Sequence, residues 1–195
     1  MGVIVKEKTP LAILFLLAWC LGGILPAWGQ AGKDYSDALR AEAEGGDREA
    51  QFRMGNCLFF GLGISRNQGE GVAWYRKAAE QGHAEAQFNL GGCFLQGYGV
   101  AANAAEAVRW WRESAGQGFP AAQISLGDCL LQGRGTERDE REAVRWYQKS
   151  ADLEYPAGLY RLGNCYMQGV GVGRDVAVAV RCYRRAAEQN FEPAI

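Results

Sequence analysis

Histidine occurs once in the 195 residues, as His83, so acid–base chemistry built on imidazole has a single candidate. The six cysteines include no Cys-x-x-Cys pair, which removes the spacing a cysteine zinc site needs. There is no basic excess either: 21 Lys and Arg stand against 22 Asp and Glu, a formal net charge of −1. A nucleic-acid binder shows a strong basic excess or a basic stripe, and this chain has neither. Low-complexity tracts and long linkers are missing too, so nothing calls for a second domain. The expectation is no metal, no cofactor and no nucleic-acid partner.

The long apolar run that is present stands at the N-terminus. Lys6 and Lys8 precede a 15-residue apolar core, Leu11 to Leu25, and Ala27-Trp28-Gly29 offers small residues at the two positions a signal peptidase inspects. A membrane span needs about 20 apolar residues, and this run is shorter, holds Gly22 and Gly23, and is followed by Pro26. Residues 1–29 are therefore expected to be a signal peptide cut before Gln30, with the protein exported to the periplasm or secreted. An uncleaved signal acting as a membrane anchor is the alternative. Leu17-Ala18-Trp19-Cys20 resembles a lipid-attachment box, but bulky Trp19 stands where a small residue is wanted. Loss of Lys6, Lys8 and Glu7 with the signal leaves 19 basic and 21 acidic residues, a net charge of −2. The remaining length suits one domain with a real core.

Self-comparison gives a period of 36 without a slip. Gly55, Gly91, Gly127 and Gly163 recur at that spacing, as do Cys57, Cys93, Cys129 and Cys165. The pairs Gly61/Gly63, Gly97/Gly99, Gly133/Gly135 and Gly169/Gly171 follow in the same frame. So do Trp74-Tyr75, Trp110-Trp111, Trp146-Tyr147 and Cys182-Tyr183. A fixed period between about 20 and 50 residues marks a repeat architecture. The copies run 47–82, 83–118, 119–154 and 155–190, preceded by a half copy, 30–46, and followed by the truncated start of a fifth, 191–195.

Each copy reads as two helices. The first, Ala84 to Gln96 in the second copy, carries Ala86, Leu90 and Cys93 on one helical face and ends at Gly97. The second opens at Asn67, Asn103, Asp139 or Asp175, whose side chains suit a helix N-cap. Glu70, Glu106 and Glu142 stand three positions on, the spacing of a capping box. The second helix presents a stripe such as Ala107, Trp110, Trp111, Ser114 and Ala115, which has to pack on something. Trp110 and Trp146 share that stripe, so Trp146→Ala is expected to cost about 3 to 5 kcal/mol as a core truncation. Gly82 and Gly118 then serve as C-terminal caps. The Gly-x-Gly pairs are turns rather than phosphate cradles, because a helix precedes them where a nucleotide fingerprint needs a strand. Gly55 and its equivalents lie inside a helix at a cost of about 1 kcal/mol, which implies that the first helix approaches its partner closely there.

The run Ala86-Gln87-Phe88-Asn89-Leu90-Gly91-Gly92-Cys93-Phe94 to Gly97-Tyr98-Gly99-Val100, then Ala107-Val108-Arg109-Trp110-Trp111 to Ala115, resembles the Sel-one-like repeat, a relative of the tetratricopeptide repeat. The resemblance covers nearly all of the chain after the signal. It implies an all-α fold, a right-handed α-solenoid of 36-residue helix-turn-helix repeats, four complete and one N-terminal half. It also implies a concave face made mainly by the first helices and used to bind proteins. The chain departs from the pattern at Gly158-Leu159, which replace Ala-Gln, and at Thr136, which replaces the Val or Ile after Gly135.

Chemistry within this resemblance is weakly founded. Equivalent cysteines of successive copies fall on neighbouring helices about 8–10 Å apart, beyond the roughly 7 Å limit for a disulfide. Cysteine-rich relatives bridge each hairpin with a second cysteine, and only the fourth copy has one, Cys182, which leaves a Cys165–Cys182 bridge open. Buried thiols are the expected state. Some relatives have been described as β-lactamases, yet none of Ser36, Ser65, Ser114, Ser125 and Ser150 has a Lys three residues on. His83 shares its slot with Asp47, Phe119 and Tyr155 and reads as a loop residue. The expectation is no catalytic residue. A hydrolase of that kind and an envelope glycan-binding module are the alternatives to a protein-binding scaffold.

Slots filled alike in every copy serve the stack, and slots filled differently are free to bind. On one face of the first helices the variable polar slots hold Arg53 and Asn56, Asn89 and Gln96, Ser125, Asp128 and Gln132, and Arg161, Asn164 and Gln168. These are the candidate partner-binding residues, since a polar face repeated along a solenoid suits an extended protein partner. On the second helices, Arg76, Arg109, Arg112, Arg145, Arg181 and Arg184 form a basic row diluted by Glu80, Glu106, Glu113 and Glu142, expected to be a solvated convex face. The expected protein is a monomer without membrane contact once the signal is gone. Export has a direct check: N-terminal sequencing of the periplasmic or secreted product should begin near Gln30, and a full-length cytosolic product would refute it.

Overall fold

The computed structural model describes residues 35–191; the signal expected over residues 1–29, the start of the half copy and residues 192–195 lie outside them. Among the described residues all regular structure is helical. A single helix, α1 (Asp37–Glu44), precedes four hairpins: α2 (Arg48–Phe60) with α3 (Gln68–Glu80), α4 (Ala84–Gln96) with α5 (Ala104–Gly116), α6 (Pro120–Gln132) with α7 (Glu140–Asp152), and α8 (Pro156–Gln168) with α9 (Val176–Ala187). Each hairpin packs on the next, giving an α-solenoid whose core runs the length of the stack. None of these helices is long and apolar enough to cross a membrane.

Local chemistry sets the helix ends. Asn67, Asn103, Asp139 and Asp175 each accept a hydrogen bond from the backbone N–H three residues on, at 2.8 to 3.1 Å. The capping-box expectation is corrected, because the N–H that Glu70, Glu106 or Glu142 would bind is already used. In every copy it donates to a carbonyl of the preceding first helix, as in Asn67 to Leu58 and Asn103 to Phe94, both at 2.8 Å. The N-cap residue thus ties the two helices of its hairpin together, and the glutamates turn elsewhere: Glu106 to Arg109 and Glu142 to Trp146. His83 lies in the connection between α3 and α4, as expected, and has a duty there. It caps α4 by accepting from Ala86 N–H at 3.1 Å through Nδ1, and its Nε2 meets Glu49 at 3.0 Å. Phe119 and Tyr155 occupy the same slot without a side-chain cap, and there Pro120 and Pro156 stand at the first helical position, which needs no N–H donor.

The close approach expected at the helical glycines is present in every hairpin. A Cβ added to Gly55, Gly91, Gly127 or Gly163 would lie 2.5 to 2.6 Å from the ring of Tyr75, Trp111, Tyr147 or Tyr183. The glycine hollows the first helix so that the aromatic of the second can lie against its backbone. Tyr75 and Tyr147 are buried to 1% exposure as a result. The second turn glycine joins neighbouring copies instead: at Gly99, where φ is +66°, a Cβ would come within 2.4 Å of the Gln68 carbonyl oxygen.

Polar groups repeat inside the stack as well. Gln51, Gln87 and Gln123 are buried and donate to the carbonyls of Ala43, Ala79 and Ala115 on the preceding helix. Gln81 and Gln117 in turn donate to Gln51 and Gln87 at 2.8 and 2.7 Å. Leu153 fills the corresponding slot of the third copy, so the carbonyl oxygen of Gln123 has no partner among the described residues. The departure at Gly158 leaves α8 at full length and is required by packing, since a Cβ there would fall 2.4 Å from Ser150 Oγ. None of the five described cysteines forms a disulfide, Cys165 and Cys182 among them, and all five are buried.

Trp146 departs from its expectation. Trp110 is buried at 5% exposure, but Trp146 is only partly buried, lying along its own helix with Nε1 donating to Glu142 and the Lys149 ammonium 3.9 Å from its ring centre. The cost of about 3 to 5 kcal/mol therefore belongs to Trp110→Ala, with less for Trp146→Ala. The glycine hollow gives a sharper contrast. Gly127→Ala should destabilise by about 1 to 3 kcal/mol through overpacking against Tyr147. Gly116→Ala, at a helical position with nothing within 4 Å, should stabilise by up to about 1 kcal/mol. Urea denaturation of the two variants checks the pair of opposite signs.

Candidate binding face on the first helices

The ten variable polar residues of the first helices divide into two groups. Arg53, Gln96, Gln132 and Gln168 are exposed, whereas Asn56, Asn89, Asp128, Arg161 and Asn164 are half-buried and Ser125 is buried at 7% exposure. The second group is not free of structural duty, as the expectation required. Tyr75, Tyr147 and Tyr183 donate their hydroxyls to Asn56, Asp128 and Asn164 at 2.6 to 2.7 Å. These bonds span 19 residues and hold the two helices of a hairpin together.

A side chain of the following copy joins two of these pairs. Arg161 donates to the second oxygen of Asp128 at 3.0 Å, and Asn89 hydrogen-bonds the Tyr75 hydroxyl. The second copy differs throughout. Its tyrosine slot is Trp111, whose Nε1 donates to the Phe88 carbonyl at 3.0 Å, and the partner slots hold Gly92 and the buried Ser125. Burial pushes the Tyr75 and Tyr147 hydroxyls well above the usual tyrosine range, and for Tyr147 the neighbouring Asp128 carboxylate adds to the rise. Both therefore stay protonated and keep donating at any physiological pH.

Between α6 and α8 the face opens into a groove of about 210 Å³. Five of the ten residues line it: Asp128, Gln132, Arg161, Asn164 and Gln168. Leu131, Tyr147, Cys165 and Val170 complete the lining. Tyr147 was legible as a core aromatic but not as a wall of this groove, because its ring belongs to a second helix and only its hydroxyl reaches the face. A larger cleft of about 720 Å³ lies away from these residues, between the turn Gly169–Gly173 and the start of α7. There Arg138 and Glu140 pair with each other.

Burial also decides the state of the thiols. Cys93 is pushed up to about 12, and Cys129 and Cys165 to about 11, by desolvation. Protonated and buried thiols are poor nucleophiles and poor metal ligands. Two arginines of the basic row on the second helices are paired, Arg109 with Glu106 at 2.9 Å and Arg112 with Glu142 at 3.7 Å.

The tyrosine bonds carry a stability prediction. Tyr147→Phe removes a bond to a carboxylate and should cost about 1.5 to 3 kcal/mol, whereas Tyr183→Phe removes one to a neutral amide and should cost about 0.5 to 1.5 kcal/mol. Chemical denaturation of both variants tests that order.

The Sel1 repeat family model matches residues 48–83, 84–119, 120–155 and 156–191. No curated protein matches the chain. Among solved structures, a protective antigen of uropathogenic Escherichia coli strains displaying an SLR fold superposes with a TM-score of 0.79 at 34% identity, covering 81% of this chain and 34% of that one. A Sel1 repeat protein from Oxalobacter formigenes gives a TM-score of 0.75 at 35% identity, covering 80% of this chain and 62% of that one. Cysteine rich protein B of Helicobacter pylori shares the fold alone, with a TM-score of 0.52 at 22% identity over 64% of this chain and 90% of that one. The chain thus spans about a third and about three-fifths of the length of the first two. With four consecutive family matches laid over the four hairpins α2 to α9, the chain belongs to the Sel1 repeat family.

Proposed function

We propose that this protein is an exported, monomeric interaction scaffold that binds a protein partner across the face of its first helices. The observation that carries the reading is the set of exposed, uncommitted polar side chains Arg53, Gln96, Gln132 and Gln168 at repeated slots on successive rigid helices. The stack needs none of them, and rigid helical side chains bind with little entropy to lose. Sel1 repeat proteins typically mediate protein–protein interactions and are generally non-catalytic, which supports the same reading. The expected signal over residues 1–29 supports export, and the uropathogenic E. coli relative, a protective antigen, is in keeping with it.

Asn89, Arg161 and the tyrosine-bound Asn56, Asp128 and Asn164 are poor choices for a test, since changing them would disturb the stack. Replacing Arg53, Gln132 and Gln168 together with alanine should leave the helical circular dichroism unchanged while abolishing capture of the partner retrieved from native envelope extract. The control is Arg109, Arg145 and Arg181 changed to alanine on the second helices. Capture lost in the control and kept in the first variant would overturn the assignment of the face.

A further inference from the structure

His83, the one histidine of the chain, sits where the first two copies meet. Its ring is stacked on Phe52 of α2, with ring centres 4.5 Å apart, and both of its nitrogens are engaged. Nδ1 accepts from Ala86 N–H at 3.1 Å, so the proton of the neutral ring is on Nε2, which donates to Glu49 at 3.0 Å. The other copies fill this slot differently. Asp47 caps α2 by accepting from Ala50 N–H at 2.7 Å, while Phe119 and Tyr155 make no side-chain cap. A carboxylate accepts with several lone pairs, whereas an imidazole nitrogen has one, and a proton takes it.

The groups around the ring pull in opposite directions. From α2 come Glu49 and Arg48, the latter reaching the Gln81 carbonyl at 3.5 Å. From α4 comes Glu85, whose carboxyl is raised above the usual carboxylate range by burial while the imidazole beside it works the other way. The exposed Glu80 ends α3, and α5 contributes the neutral Ser114 hydroxyl, which donates to the Ala84 carbonyl at 2.7 Å. A cationic His83 gains from the carboxylates. It loses the bond from Ala86, and its new N–H faces the positive end of α4. Protonation therefore exchanges one contact for another. The turn it touches carries Glu85, and Asn89, one turn further along α4, hydrogen-bonds the Tyr75 hydroxyl.

We propose that His83 is a proton switch at the junction of the first two copies: neutral, it caps α4, and protonated, it releases that cap while staying paired with Glu49. A proton from solvent binds Nδ1, the hydrogen bond from Ala86 N–H breaks, and the first turn of α4 loosens with Glu85 on it. Imidazoles change charge between about pH 5 and 8, so the switch works in mild acid. It goes beyond the binding reading above and does not depend on it.

The test is nitrogen NMR of the isotope-labelled full chain, titrated from about pH 8 to about pH 5, the range in which imidazoles change charge. At the alkaline end the His83 ring should carry its proton on Nε2 alone. As the ring takes up its second proton, the Ala86 amide should shift with the same midpoint. Its protection against hydrogen exchange should fall about fivefold relative to the Ala50 amide, the weight of one N-cap. His83→Asn keeps a capping side chain that does not titrate, so in that variant Ala86 should track Ala50 throughout. A neutral ring with its proton on Nδ1 would overturn the proposal, and so would an Ala86 amide that stays unchanged while the ring titrates. The same drift of Ala86 in His83→Asn, or a ring that takes up no second proton in this range, would overturn it as well. If the variant does not fold, the ring tautomer and the comparison of Ala86 with Ala50 in the unaltered chain decide by themselves.

Discussion

The contact on which the rest of the stack depends is an aromatic ring laid against a bare stretch of helix backbone. In each hairpin a glycine of the first helix leaves no Cβ, and Tyr75, Trp111, Tyr147 or Tyr183 fills the space. This sets the distance between the paired helices, and through it the position of everything that follows. A glycine inside a helix costs about 1 kcal/mol, and a buried aromatic repays it several-fold in area removed from water. The ring also carries a polar tip. Where it is tyrosine, the hydroxyl emerges on the first-helix face and binds Asn56, Asp128 or Asn164. Core packing and surface chemistry are therefore joined through one side chain.

Neighbouring copies share the core and are joined further by close backbone contact and by polar side chains. The second turn glycine presses on the start of the preceding second helix, the buried glutamines reach the preceding helix end, and Arg161 crosses to Asp128. Each bridge satisfies a helix-end or buried polar group that would otherwise cost about 1–3 kcal/mol. Stability is thus distributed along the stack copy by copy, as in other solenoids. The junction of the third and fourth copies is the irregular one. Leu153 leaves Gln123 without its usual donor, and buried Leu159 stands in the slot that a buried glutamine fills in the other copies. On the first-helix face the same junction carries the charged pair and the groove.

Three features limit what the molecule does chemically. The described thiols are buried, and desolvation pushes Cys93, Cys129, Cys165 and Cys182 above their ordinary range. The one histidine is used at a helix end, with both ring nitrogens engaged. Two arginines of the basic row, Arg109 and Arg112, are paired with acids on their own surface. The exposed amides Gln96, Gln132 and Gln168 and the exposed Arg53 share one face of rigid helices.

The sequence by itself determined the period, the two helices per copy, their caps and turns, and the need for a close approach at the repeated glycines. These follow from local physics, because caps, turns and helical stripes are set within a dozen residues, and four copies repeat the same solution. Only the tertiary structure decided which polar residues are free. Asn56, Asp128 and Asn164 vary between copies as binding residues would, yet each is bound by a tyrosine 19 positions away, and Asp128 again by Arg161 33 positions away. The exposure of Trp146 and the fate of the capping-box glutamates are of the same kind. Partners at such separations come together only when one helix is set against another, and variation between copies looks the same whether a residue faces solvent or faces the changed residue across from it.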